Sequence, residues 1–211
     1  MEKEDNLRQR IIKLARERFY AIGFSKVTMD ELASELGIGK RTIYQHFRSK
    51  NDLLDAVMEW QSTSIKSQTA GILQESTDFV DRIYRMLANV GQRVSQVGKQ
   101  FQDDIRKFRP DLWERVSENR KEFILGNFSK MIDEGIRQGF IRSDINKDIM
   151  VLMYLASIQM IVNPEVVAQH SFTGQEAMQS ILKVYFDGIL TDGAREHFHE
   201  KILQHQTLEK E

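Results

Sequence analysis

Six polar side chains crowd the short segment GIGKRTIYQHFRSK, Gly37 to Lys50: Lys40, Arg41, Thr42, Tyr44, Gln45 and His46. An arginine or lysine can donate to guanine O6 and N7, and a glutamine can bond adenine N6 and N7. Hydroxyl, imidazole and ammonium groups donate to phosphate oxygens, which position a protein on a duplex without reading its sequence. On this chemistry Lys40, Arg41 and Gln45 are base-edge candidates. Thr28, Tyr44, His46 and Lys50 are phosphate candidates, and Thr42 shares the same outer face.

Such a face works only if an element holds it outward. Stepping by three or four, Leu7, Ile11, Leu14, Ala15, Phe19 and Ile22 mark an amphipathic helix ending near Gly23, with a basic opposite face. Thr28 to Glu31 reads as a capping box that opens a second helix to about Leu36. Gly37 supplies the turn, and a third helix runs to Gln45 or His46 with Ile43 facing inward. Ala33, Gly37 and Ile43 are the small residue, turn residue and apolar contact that two steeply crossing helices require. Met29, Leu32, Leu36, Ile38 and Phe47 complete the core of a helix-turn-helix. Ser49 to Asp52 is a second capping signal, opening a long helix through Leu53, Leu54, Val57 and Met58.

Composition sets the wider frame. Among 211 residues there are two prolines and no cysteine, which points to an all-α chain and excludes disulfides, thiolate zinc sites and cysteine nucleophiles. Residues 1–50 carry 11 Lys/Arg against 7 Asp/Glu, so this basic quarter of a chain with net charge −1 suits a polyanion partner. The charged start MEKEDNLRQR argues against an export signal, and the apolar run from Ile149 to Val162 is too short for a bilayer. A cytoplasmic protein without a membrane partner is the expectation. Further helices are predicted over about 50–71, 76–98, 110–138, 147–163 and 174–191, with a short one near 100–107 and another after Ala194. The domain boundary falls at 49/50: a helix-turn-helix domain over 1–49 and a larger helical domain over 50–211.

Within the larger part, Met178, Ile181, Leu182, Tyr185 and Ile189 form an apolar stripe, with Phe186 beside it, broader than a lone surface helix needs. The segments 147–163 and 174–191 are therefore expected to form a homodimer surface. Rival chemistries find less support. GIGK lacks the earlier glycine, the following Ser/Thr and the preceding strand of a phosphate loop. His197, His199 and His205 lack placed carboxylates or thiols, so a solvated tail is the better reading than a metal site. No catalytic arrangement, metal site or cofactor motif is expected. An interaction adaptor that has lost DNA binding would not be expected to keep Lys40, Arg41, Tyr44, His46 and Lys50 together.

The series Thr28-Met29-Asp30-Glu31-Leu32-Ala33, Leu36-Gly37-Ile38, Lys40 to Phe47, Ser49-Lys50 and Leu53-Leu54 resembles the DNA-binding domain of the TetR/AcrR family of bacterial transcriptional regulators. The resemblance covers about the first 55 residues. It implies an all-helical homodimer, usually a repressor, that binds a palindromic double-stranded DNA operator and leaves it when a small-molecule effector enters the C-terminal domain. Thr28, Lys40, Arg41, Thr42, Tyr44, Gln45, His46 and Lys50 align with DNA-contacting positions of the family. Gly39 departs, because the family often carries a capping residue there. The resemblance also implies an apolar cavity with a few polar wall groups. Candidates are Met86, Phe101, Trp113, Phe123, Phe128, Met131, Tyr154 and Gln159, with Asn89, Arg93 and Asn127 as weaker polar candidates.

Overall fold

In the computed structural model the described residues are 2–75, 78–161, 164–167 and 169–208. They form α1 (Glu2–Ile22), α2 (Met29–Glu35), α3 (Lys40–His46), α4 (Lys50–Gln74), α5 (Phe79–Gln96), α6 (Lys99–Phe108), α7 (Pro110–Gln138), α8 (Lys147–Ile161), α9 (Pro164–Val167), α10 (Gly174–Ile189) and α11 (Asp192–Leu208). The all-α expectation holds, and the long helices start and stop within a few residues of the predicted ends. Pro110 opens α7, where its missing N–H leaves no helical bond unmade. The four-residue α9 has too little periodicity to be legible in the sequence.

Two compact units divide the chain: residues 1–68 with 96–117, and residues 69–95 with 118–211. The sequence boundary at 49/50 marks the end of the helix-turn-helix. The compact unit that contains it extends further, taking in most of α4, all of α6 and the start of α7.

The first unit is built on α1, whose Ile11, Ile12, Ala15 and Phe19 are buried together with Leu32 of α2, Ile43 of α3, and Leu53, Leu54 and Val57 of α4. Phe101 and Ile105 of α6 and Leu112 of α7 close the same core. Gly98 lets α6 begin against α1: its N–H donates to the Tyr20 carbonyl at 3.1 Å, and a Cβ there would stand 2.4 Å from that oxygen.

The second unit packs Val80 and Ile83 of α5, Phe128 and Ile132 of α7, Val151, Tyr154 and Ile158 of α8, Leu182 and Phe186 of α10, and Phe198 of α11. Gly139, at φ 78°, ends α7 in the left-handed conformation that glycine adopts without strain. The chain beyond it pairs with the end of α10, Arg142 N–H to the Ile189 carbonyl and Thr191 N–H to the Phe140 carbonyl, both at 2.9 Å. Thr173 caps α10 with the same reciprocal box that Thr28 makes on α2.

Candidate nucleic-acid interface

Local bonds hold the helix-turn-helix together. Thr28 Oγ1 accepts from the Glu31 amide at 3.2 Å, and the Glu31 carboxylate accepts from the Thr28 amide at 2.8 Å. The Thr28 hydroxyl bonded to Glu31 holds that carboxyl below its usual range, so the box stays charged at neutral pH. Gly37, at φ 67°, turns the chain, and the Ile38 amide donates to the Ala33 carbonyl at 3.0 Å. Gly39 occupies the N-cap of α3 without a side-chain bond, so the backbone alone starts that helix, Thr42 N–H donating to the Gly39 carbonyl at 2.9 Å.

Ile43 is fully buried and Phe47 nearly so, with the Arg8 guanidinium 5.1 Å above the Phe47 ring. Anchoring these two rotates the remaining side chains of α3 outward. Lys40, Arg41, Tyr44 and Gln45 are exposed, and Thr42 and His46 are half-buried. Thus α3 brings the predicted reading residues onto one outer surface.

Two cations nevertheless stand in different electrostatic settings from Arg41. Lys40 donates to Asp30 Oδ2 at 2.7 Å, a bond that raises its pKa and joins the first turns of α2 and α3. Lys50, a predicted phosphate candidate, is turned toward the α1–α2 loop. Its ammonium donates to the carbonyls of Phe24, Ser25 and Val27 at 2.9, 3.3 and 2.9 Å, and lies 4.4 Å from the Phe24 ring centre. An ammonium has three N–H groups, so these bonds occupy all of them. Burial lowers the Lys50 pKa despite the nearby charges of Asp104 and Glu31. Reaching a phosphate would leave three loop carbonyls unmet, at about 1.5–3 kcal/mol for each bond to a charged donor.

Sequence reasoning also missed Asp104 of α6, which is only 3 % exposed. Its carboxylate accepts from the Ser25 amide at 2.7 Å and from Gln100 at 2.8 Å. Burial pushes its pKa up, but these hydrogen bonds outweigh burial and leave it below the usual value. The Ser25 partner lies 79 residues away along the chain, so no local pattern announces it.

The predicted effector residues separate. Phe101 and Trp113 belong to the first unit's core, where the Phe101 ring packs 4.8 Å from Tyr20, so they do not line a cavity in the second unit. Gln159 points to solvent rather than to a buried wall. Met86 and Met131 do converge, lining a closely filled recess with Leu73, Phe79, Arg82, Ile83 and Glu134. Phe128 stacks on Tyr154 at 4.3 Å in the second unit's core, and Phe123 is half-buried. Asn127 donates to the Phe123 carbonyl of its own helix at 2.8 Å, Asn89 is half-buried, and the Arg93 side chain lies outside the described residues.

Of the α10 stripe, Met178, Leu182, Phe186 and Ile189 are buried within the second unit, and the partly buried Ile181 and Tyr185 pack against that core. The Tyr185 hydroxyl donates to the Met150 carbonyl, locking α10 to α8. Of the tail histidines, His199 bonds Asp187 at 2.6 Å and His197 faces Asp78 at 3.5 Å, while the His205 side chain is outside the described residues.

Residues 11–57 match the sequence family described as bacterial regulatory proteins, tetR family. The chain is 33% identical over 174 residues to an uncharacterized HTH-type transcriptional regulator, YvaF of Bacillus subtilis, covering 81% of this chain and 88% of that protein. Another Bacillus subtilis HTH-type regulator, YhgD, is 24% identical over 184 residues, 83% of this chain and 92% of its own length. In fold, the chain is similar to a tetR-family transcriptional regulator from Agrobacterium tumefaciens, with a TM-score of 0.67 at 13% identity, covering 89% of this chain and all of that one. The capped helix-turn-helix with its polar outer face and this similarity over most of the chain lead to one assignment: the chain belongs to the tetR family of bacterial regulatory proteins and is a transcriptional regulator.

Proposed function

We propose that the protein is a homodimeric repressor that lays one α3 into the major groove of each half of a palindromic operator and releases it when a small apolar or amphipathic effector binds the second unit. The observation that carries this reading is the rotation of α3: Ile43 and Phe47 lie inside, so Arg41, Tyr44 and Gln45 face outward. Arg41 then presents two donors suited to guanine and Gln45 a donor and an acceptor suited to adenine, with Thr28, Thr42, Tyr44 and His46 around them for the backbone.

Homodimerisation is supported by an apolar surface that one chain leaves uncovered. On α8, Ile149, Leu152, Met153 and Met160 are 53%, 60%, 52% and 71% exposed, and Val184 of α10 is 73% exposed. Side chains of this size on neighbouring helices favour burial against another surface, and pairing about a two-fold axis would match a palindromic site. The effector reading rests on the recess between α4, α5 and α7. Side chains fill it so closely that a ligand must displace some of them, and the unbranched Met86 and Met131 can move at little cost. Arg82 paired with Glu134 supplies the polar wall. An effector shifts the protein off DNA only if it binds the non-binding arrangement more tightly.

Selection of purified protein against a randomised DNA library tests the reading. Enrichment of a palindrome is the expected result, and a folded dimer that enriches nothing at moderate salt would sink it. The Lys40–Asp30 pair adds a sharper expectation. Asp30→Asn frees Lys40 and removes a negative charge from the groove-facing surface, so binding should tighten on all DNA. If each Lys40 then takes one phosphate, the slope of log K against log salt steepens by about 1.8 for a dimer. Titrations at several salt concentrations read that slope directly, and a flatter or unchanged one would show that the freed Lys40 takes no phosphate.

A further inference from the structure

The loop from Gly23 to Val27 joins α1 to α2 and is gripped from two sides within the first unit. From α4, the Lys50 ammonium sits among the carbonyls of Phe24, Ser25 and Val27. From α6, the buried Asp104 carboxylate takes the Ser25 amide. The Val27–Thr28 peptide is held at both ends, its carbonyl by Lys50 at 2.9 Å and its N–H by the Glu31 carboxylate at 2.8 Å. That peptide is the last link before α2, and its orientation sets where Thr28 and the first turn of α2 stand relative to α3.

We propose that Lys50 is a positioning residue for DNA binding: it fills a cup of three loop carbonyls, fixes the Val27–Thr28 peptide together with Glu31, and takes no operator phosphate. The inference rests on the DNA-binding reading given above. A cup of converging carbonyls selects a compact ammonium with rotatable donors. The planar guanidinium of an arginine spreads its donors in one plane and cannot serve the same three oxygens. An operator phosphate imposes no such restriction and accepts either cation.

The experiment compares the full-length wild type with K50M, K50R and E31A on the library-selected operator, at temperatures where each variant retains the wild-type circular dichroism. Expected are a loss of affinity of roughly tenfold or more for K50M, from a displaced reading head in a folded protein, and no rescue by K50R. The salt slope should stay unchanged, because no phosphate contact is lost. E31A, which removes the acceptor of the Thr28 N–H, should behave like K50M, and the double variant should be no worse than either, because both side chains hold one peptide.

A salt slope shallower by about 1.8 in K50M, with affinity restored by K50R, would make Lys50 a phosphate ligand and overturn the proposal. Amide hydrogen exchange in the free protein gives a readout independent of DNA. K50M should speed exchange at Ser25 and Thr28 by roughly tenfold or more, and unchanged protection there would overturn the proposal even if operator binding fell. If wild-type protein binds no DNA, the exchange result still decides whether Lys50 fixes the loop, and the DNA reading fails separately.

Discussion

Replacing Arg41 by alanine is expected to cost about 1–3 kcal/mol at each half-site, and therefore about 2–6 kcal/mol for a dimer on a symmetric operator. Arg41 carries this expectation because its competitors are otherwise engaged. Lys40 is tied to Asp30 and Lys50 to the α1–α2 loop, whereas Arg41 extends from the exposed face of α3 beside the buried Ile43. A guanidinium contacting guanine O6 and N7 distinguishes one base pair from the others, so the loss must be concentrated at one position of the half-site. The measurement is affinity for the selected operator and for variants substituted singly along it. In the wild type, one position should show a steep penalty for replacing G·C, and in Arg41→Ala that penalty should disappear. A uniform loss at every position, with a salt slope shallower by about 1.8, would assign Arg41 to phosphate instead.

Local signals were legible and distant ones were not. The capping box at Thr28, the left-handed turn at Gly37 and the inward Ile43 lie within sixteen consecutive residues, each required by backbone geometry that neighbouring residues determine. The outward placement of Arg41, Tyr44 and Gln45 follows from those three. Lys50 shows the opposite case. Its position beside a recognition helix suggests phosphate, but its partners lie 23 to 26 residues earlier, and only the folded loop turns their carbonyls toward one point. Phe101 and Trp113 are similar: apolar periodicity shows that they are buried, not which of two cores receives them.

The same limit explains α8 and α10. Both carry apolar residues on more than one face, so periodicity announces burial without saying which face a chain buries by itself. On α8, Val151, Tyr154, Leu155 and Ile158 turn inward, leaving Ile149, Leu152, Met153 and Met160 outside, and Gln159 shares that outer surface. On α10 the inward set includes Met178, Leu182, Phe186 and Ile189, four of the six residues that sequence reasoning placed between subunits.

This reassignment separates two substitutions that the sequence alone would treat as equivalent. Phe186 is fully buried, with Phe128 and Phe198 ring centres 6.3 and 5.7 Å away. Phe186→Ala removes those contacts and leaves a cavity, at an expected cost of about 3–5 kcal/mol to the folded second unit. Leu152, 60% exposed on α8, touches solvent in a single chain, so Leu152→Glu should leave that unit's stability nearly unchanged. It would instead place one carboxylate from each chain into an apolar interface, where burial of unpaired charge opposes association. Urea unfolding and sedimentation of the two variants distinguish the roles. Phe186→Ala should unfold at lower urea, and Leu152→Glu should sediment as a folded monomer with weakened operator binding. A stable monomeric Phe186→Ala would return the α10 stripe to the subunit interface. A fully dimeric Leu152→Glu would show that Leu152 lies outside the dimer contact, which would then have to form elsewhere on the chain.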